Sequence, residues 1–96
     1  MPWSGNHLPW SLSEILFHVP GTSGVYVIWR DDTVVYVGET NDLQRRLLEH
    51  FKGSNPCIGS QNPTSFGFEL SSPAARLARH DSLVREMRPI CNLSSP

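Results

Sequence analysis

Tyrosine recurs in two short glycine-bearing triplets, Gly24-Val25-Tyr26 and Tyr36-Val37-Gly38, and a segment carrying Arg46 and His50 follows directly. These residues provide a proton acceptor, a fixed cation and a hydrogen-bonding partner. Phosphodiester hydrolysis by water needs all three, because the nucleophile must lose a proton while charge gathers on the phosphate oxygens. A guanidinium is always charged and offers a planar fork to those oxygens, so Arg46 suits that charge. Its competing role is a surface ion pair with Asp42 one turn earlier. The tyrosines are weaker candidates on chemistry alone. A phenol with a pKa of about 10 is a poor base at neutral pH unless cations or a metal lower it.

The elements that must position these residues can be read from periodicity. Val25-Tyr26-Val27-Ile28-Trp29 and Thr33-Val34-Val35-Tyr36-Val37 are rich in β-branched and aromatic residues, with Asp31-Asp32 between them, and predict an antiparallel hairpin. Tyr26 and Tyr36 are ten positions apart. A strict two-residue turn would send them to opposite faces of the sheet, so a shared face requires an odd-length loop or a compensating bulge. Asn41 can cap a helix over about residues 42–52, with Leu43, Leu47 and Phe51 as its buried stripe and Arg46 and His50 on a neighbouring face. A second helix is expected over Ser11–His18, ended by Pro20-Gly21, and a third over Ala74–Met87, started by Pro73. Ser65–Leu70 alternates as a third strand. Residues 53–64 read as a long polar loop and the first ten as an irregular arm anchored by Trp3 and Trp10. The expected architecture is one small α/β domain over residues 1–96, a three-stranded mixed or antiparallel sheet flanked by helices.

Composition narrows the function classes. The chain is 39% hydrophobic and 18% charged, an ordinary globular balance, and holds no apolar run near the ~20 residues that span a bilayer. No secretory signal is evident at the start, and Cys57 and Cys91 read as two separate reduced thiols in a cytoplasmic protein. Net charge is −1, unlike most autonomous nucleic-acid binders. The charge is divided, however: residues 1–44 carry one cation and five acids, residues 45–96 seven cations and four acids. Arg45, Arg46, Lys52, Arg76, Arg79, Arg85 and Arg88 could form a phosphate-binding face or stand as solvated helix positions. Binding through so few contacts would be weak and salt-sensitive.

The order and spacing of these residues resemble the GIY-YIG nuclease family, whose two name motifs read here as GVY and YVG. The likeness continues through Glu39–Leu43 and Arg46-x3-His50 to Pro89-x2-Asn92. It implies a metal-dependent endonuclease acting on DNA, with one divalent ion, magnesium or manganese. It also implies that Tyr26 helps to deprotonate the attacking water, that Tyr36 lines the site and that Arg46 is the catalytic arginine. His50 would bond the nucleophile or phosphate, Gly38 would allow close backbone approach, and Asn92 would support the site. The family's metal-anchoring glutamate stands twelve residues before the final asparagine, where this chain has His80, expected to point inward amid Leu77, Leu83, Val84 and Met87. Asp81 should be turned about 100° away. Imidazole suits zinc, manganese or nickel better than magnesium. Three readings stay open: another metal held by His80, feeble cleavage, or a non-catalytic nucleic-acid-binding or protein-interaction module.

Overall fold

A computed structural model of the protein describes residues 3–92, so Met1-Pro2 of the expected arm and residues 93–96 of the expected domain lie outside the described residues. In chain order the elements are β1 (Leu8–Pro9), α1 (Leu12–His18), β2 (Gly24–Arg30), β3 (Thr33–Thr40), α2 (Leu43–Phe51), α3 (Pro56–Ser60), β4 (Ser65–Leu70) and α4 (Pro73–Met87). The sheet has four strands in the order β1-β4-β2-β3, all antiparallel. The fourth strand comes from the arm, where Leu8 pairs with Phe66 and Pro9 with Ser65.

The hairpin turn is the strict two-residue kind, since Arg30 pairs with Thr33 across Asp31-Asp32. Asp31 takes φ 52°, a left-handed value that aspartate tolerates better than most residues. Left alone, this turn would separate the tyrosines. The register shifts between Ile28 and Trp29: Ile28 faces Tyr36, while Trp29 faces Val34. Val35 is the extra residue of a β-bulge, which returns Tyr36 to the face of Tyr26.

Helices cover both faces of the sheet, which is why β2 is buried from Gly24 to Trp29 and reads as a continuous apolar run. On one face Ile15, Leu43, Leu47 and Ile58 pack against Tyr26, Ile28, Val35 and Phe66. On the other, Leu83 with Val84 and Met87 packs on Val25, Val27, Trp29 and Val37, and Trp3 joins them. Each helix start has a physical cause. Ser11 caps α1, Asn55 caps α3 and Ser72 caps α4. Asp42, rather than the expected Asn41, caps α2 by accepting from the Arg45 amide. Two members of expected stripes lie outside the core: Phe51 is 36% exposed and Leu77 60%. The expected loop contains α3, and its Ile58 is buried against the first face.

The expectation of two free thiols is overturned. Cys57 of α3 and Cys91 are joined in a disulfide with Cα atoms 5.7 Å apart. The segment after α4 then runs beside β3, where Ile90 N–H donates to Val34 O at 3.2 Å and Cys91 N–H to Val35 O at 2.8 Å. The Asn92 side chain continues the pattern, accepting from Val37 N–H and donating to Val37 O, both at 2.8 Å. Among the described residues no helix is long and apolar enough to cross a membrane.

The disulfide closes a sequence separation of 34 residues, for which loop-closure entropy gives a stabilisation of about 3–4 kcal/mol. Cys57→Ser should therefore lower the unfolding free energy in urea by roughly that amount. A dithiol reductant should do the same to the wild type and nothing to the variant. Equal stability of all three states would show that the bond does not constrain the chain.

Candidate functional site

The two tyrosines meet because of the bulge, and the second motif's glycine is what lets them do so. Tyr26 lies opposite Gly38, and its ring rests across the Gly38 backbone so closely that a Cβ there would collide with the ring and hydroxyl. The ring centroids of Tyr26 and Tyr36 are 6.1 Å apart, and each lies beside His50, at 5.6 and 5.3 Å respectively. The Tyr26 hydroxyl and His50 Nε2 are hydrogen-bonded at 2.7 Å.

Both partners are buried, Tyr26 to 1% exposure and His50 to 3%. Burial pushes the phenol well above its usual pKa; Tyr36 adds to the shift and the Arg46 cation offsets part of it. Burial, and then the Arg46 cation, push the imidazole down to about 4. His50 is thus neutral at physiological pH, and its Nδ1 is buried with no hydrogen-bond partner among the described residues.

A cleft of about 900 Å³ opens beside β3, between the helices of the two sheet faces. Tyr26, Tyr36 and Arg46 line it from one side, and His80, Asp81, Val84 and Arg85 of α4 from the other. Glu39, Asn55, Cys91 and Asn92 complete its wall. Arg46 Nη1 donates to Glu49 at 2.8 Å, so its ion-pair partner is Glu49 and not Asp42. Glu39 is held by Arg76 at 2.6 Å, and Arg76 also donates to the Ser23 hydroxyl at 2.9 Å.

The residues singled out by sequence divide into three groups. Tyr26, Tyr36, Arg46, His80 and Asn92 share the cleft, whereas His50 sits behind Tyr26 and reaches the cleft through it. Gly38 lies beneath the Tyr26 ring. Arg45 does not line the cleft; its side chain is 61% exposed and donates to Asn41 at 3.3 Å. The Asn92 amide is spent on both backbone atoms of Val37, so it fixes β3 at the second motif.

Asp81 also lines the cleft, against the expectation that it turns away, because the cleft is wide enough to meet two successive positions of α4. His80 Nδ1 lies 3.2 Å from an Asp81 carboxylate oxygen. Of the seven cations considered for a phosphate-binding face, Arg46 and Arg85 line the cleft. Asn55 was not singled out, although the Asn-Pro pair opening α3 was a readable cap signal.

Two outcomes test this geometry. Because the folded state holds His50 near 4 while an unfolded histidine titrates near 6.5, the unfolded chain binds the extra proton first on acidification. Its contribution is complete above about pH 6.5 and is lost as pH falls toward 4, at up to ~1.4 kcal/mol per unit. His50→Gln should flatten that part of a urea-unfolding series between pH 4 and 7; an unchanged slope would assign it elsewhere. Gly38→Ala should cost about 1–3 kcal/mol by displacing the Tyr26 ring. Wild-type stability in that variant would mean the ring is not held against Gly38.

Known proteins resemble this chain in sequence and in fold. The chain is 36% identical over 42 residues to the UvrABC system protein C of Fervidobacterium nodosum, a segment covering 44% of this chain and 8% of that relative's length. The fold is similar to the GIY-YIG N-terminal endonuclease domain of UvrC from Thermotoga maritima bound to its catalytic divalent cation, magnesium, with TM-score 0.73 and 20% identity over 83% of this chain and 92% of that one. A point mutant of the same domain, also bound to its catalytic divalent cation, superposes with TM-score 0.73 at 19% identity, over the same shares of the two chains. The GIY-YIG catalytic domain family matches residues 22–73, which hold both tyrosine triplets, Arg46 and His50, and more than half of the sequence: the chain belongs to the GIY-YIG family.

Proposed function

We propose that this domain is a nuclease that hydrolyses phosphodiester bonds of DNA with the help of a divalent ion. The observation that carries the reading is the convergence of Tyr26, its partner His50, Tyr36 and Arg46 on one side of a cleft whose other side holds Asp81 and His80.

The donor set fits a loosely held divalent ion. No group of three or more ligating side chains occurs among the described residues, and Glu39 is engaged by Arg76. Magnesium, however, keeps several waters and often uses only one or two carboxylates. Asp81, with a 57% exposed side chain, supplies one carboxylate on the cleft wall. His80, holding Asp81 through Nδ1, leaves Nε2 free, a donor that favours manganese or zinc beside it. An ion bound there supplies Lewis-acid stabilisation to a phosphoryl oxygen.

The remaining chemistry belongs to the chain. Arg46 offers its fork to the non-bridging oxygens, where charge grows in the transition state. Burial makes a free Tyr26 phenolate costly, so the phenol acts as a relay. As water oxygen bonds to phosphorus, its proton passes to the Tyr26 oxygen while the phenolic proton moves to His50 Nε2. The ester bond to the leaving oxygen breaks, and that oxygen is protonated from solvent. An anionic phosphate at Arg46 also offsets the cation that depresses His50, which eases the transfer.

A non-cleaving nucleic-acid-binding domain is the second reading. It is favoured by one observation: His80, bonded to Asp81, stands where the family pattern places a glutamate.

Cleavage of plasmid and oligonucleotide DNA across magnesium, manganese and zinc separates the two. Metal-dependent nicking is expected, reduced at least ~100-fold in Tyr26→Phe, which keeps the ring but removes the relay oxygen. Binding without nicking in every metal would leave only the second reading. His80→Glu should raise magnesium-dependent nicking and add magnesium-dependent thermal stabilisation; loss of both would place the ion elsewhere.

A further inference from the structure

The cleft is larger than one phosphate requires, and its cations are not equivalent. Arg46 is offset by Glu49. Arg85, exposed on the opposite wall, has no ion-pair partner among the described residues. Facing the same space is Asn55. Its Oδ1 accepts from the Cys57 and Ile58 amides at 3.0 and 3.2 Å, which fixes the side chain and leaves its Nδ2 as a donor. The disulfide of Cys57 holds this loop in place.

We infer that Arg85 and the Asn55 amide form a second phosphate contact, so that one nucleic-acid strand lies across the cleft with one phosphate at Arg46 and a neighbouring one at Arg85. This rests on the nucleic-acid reading above and deepens it: the ligand is a polynucleotide strand, not an isolated phosphate. Arg46 comes from the helix on one face of the sheet and Arg85 from the helix on the other, so the strand passes between them. The contact is independent of the divalent ion, since neither donor is a metal ligand.

The test is fluorescence anisotropy with a labelled twelve-nucleotide single-stranded DNA in EDTA, over a series of salt concentrations. Arg85→Ala is expected to weaken binding roughly tenfold, the loss of one charge-assisted hydrogen bond, and to reduce the salt slope by about 0.7. Asn55→Asp keeps the cap on α3 but exchanges the donor for a negative charge, and should weaken binding at least as much. Lys52→Ala removes an equal charge from an exposed position off the cleft and should change little. If Arg46→Ala abolishes binding while Arg85→Ala matches Lys52→Ala, the second contact is refuted and the nucleic-acid reading stands. If the wild type fails to bind in EDTA and still fails with manganese added, both fall.

Discussion

The Tyr26 ring lies against a glycine backbone on one side, and its hydroxyl is hydrogen-bonded to a buried imidazole on the other. That placement depends on three separate conditions. Position 38 must lack a side chain, the hairpin must carry its extra residue at Val35, and α2 must present His50 one turn after Arg46. Removing any of them moves the phenol. His50 Nδ1, without a partner among the described residues, is a local cost of keeping the pair dry, of the order of 1–3 kcal/mol for a buried polar atom. Such a cost is tolerable in a chain whose two faces are otherwise closed by apolar packing.

The two sides of the cleft are held together by the chain after α4. Arg88 ends that helix in a left-handed conformation, φ 50°, and the backbone turns to run along β3. Cys91 ties it to α3 covalently, and Asn92 ties it to Val37 by two hydrogen bonds. The distance between the Arg46 side and the Arg85 side is therefore set by short-range contacts near the cleft, not only by the packing of α4 on the sheet.

Much of this was legible in the sequence, because the strongest signals were local. The β-branched and aromatic content of residues 25–37 pointed to the hairpin, and a shared face for the tyrosines needed an odd-length loop or a bulge, of which the bulge at Val35 is found. What escaped was non-local or marginal. Two cysteines 34 residues apart carry no framework pattern, so the disulfide had no sequence signal. The Leu8–Pro9 strand is too short to show periodicity. Phe51 and Leu77 lay on plausible stripes but at the margins of their helices' buried faces, where helical spacing alone does not decide exposure. Asp81 was misplaced for a related reason: a 100° step turns a residue from a neighbouring helix, not from an open cleft.

The segment 90–92 has a further consequence for how the protein behaves among copies of itself. A terminal strand with free amides and carbonyls is a template on which another chain can add, the usual route to edge-to-edge aggregation. The outer side of β3 is such a template, and Ile90, Cys91 and Asn92 occupy its Val34, Val35 and Val37 positions. At the opposite margin β1 offers only two residues, one of them Pro9, which lacks an amide hydrogen. The tail that fastens the cleft is thus also the guard that keeps the sheet from growing.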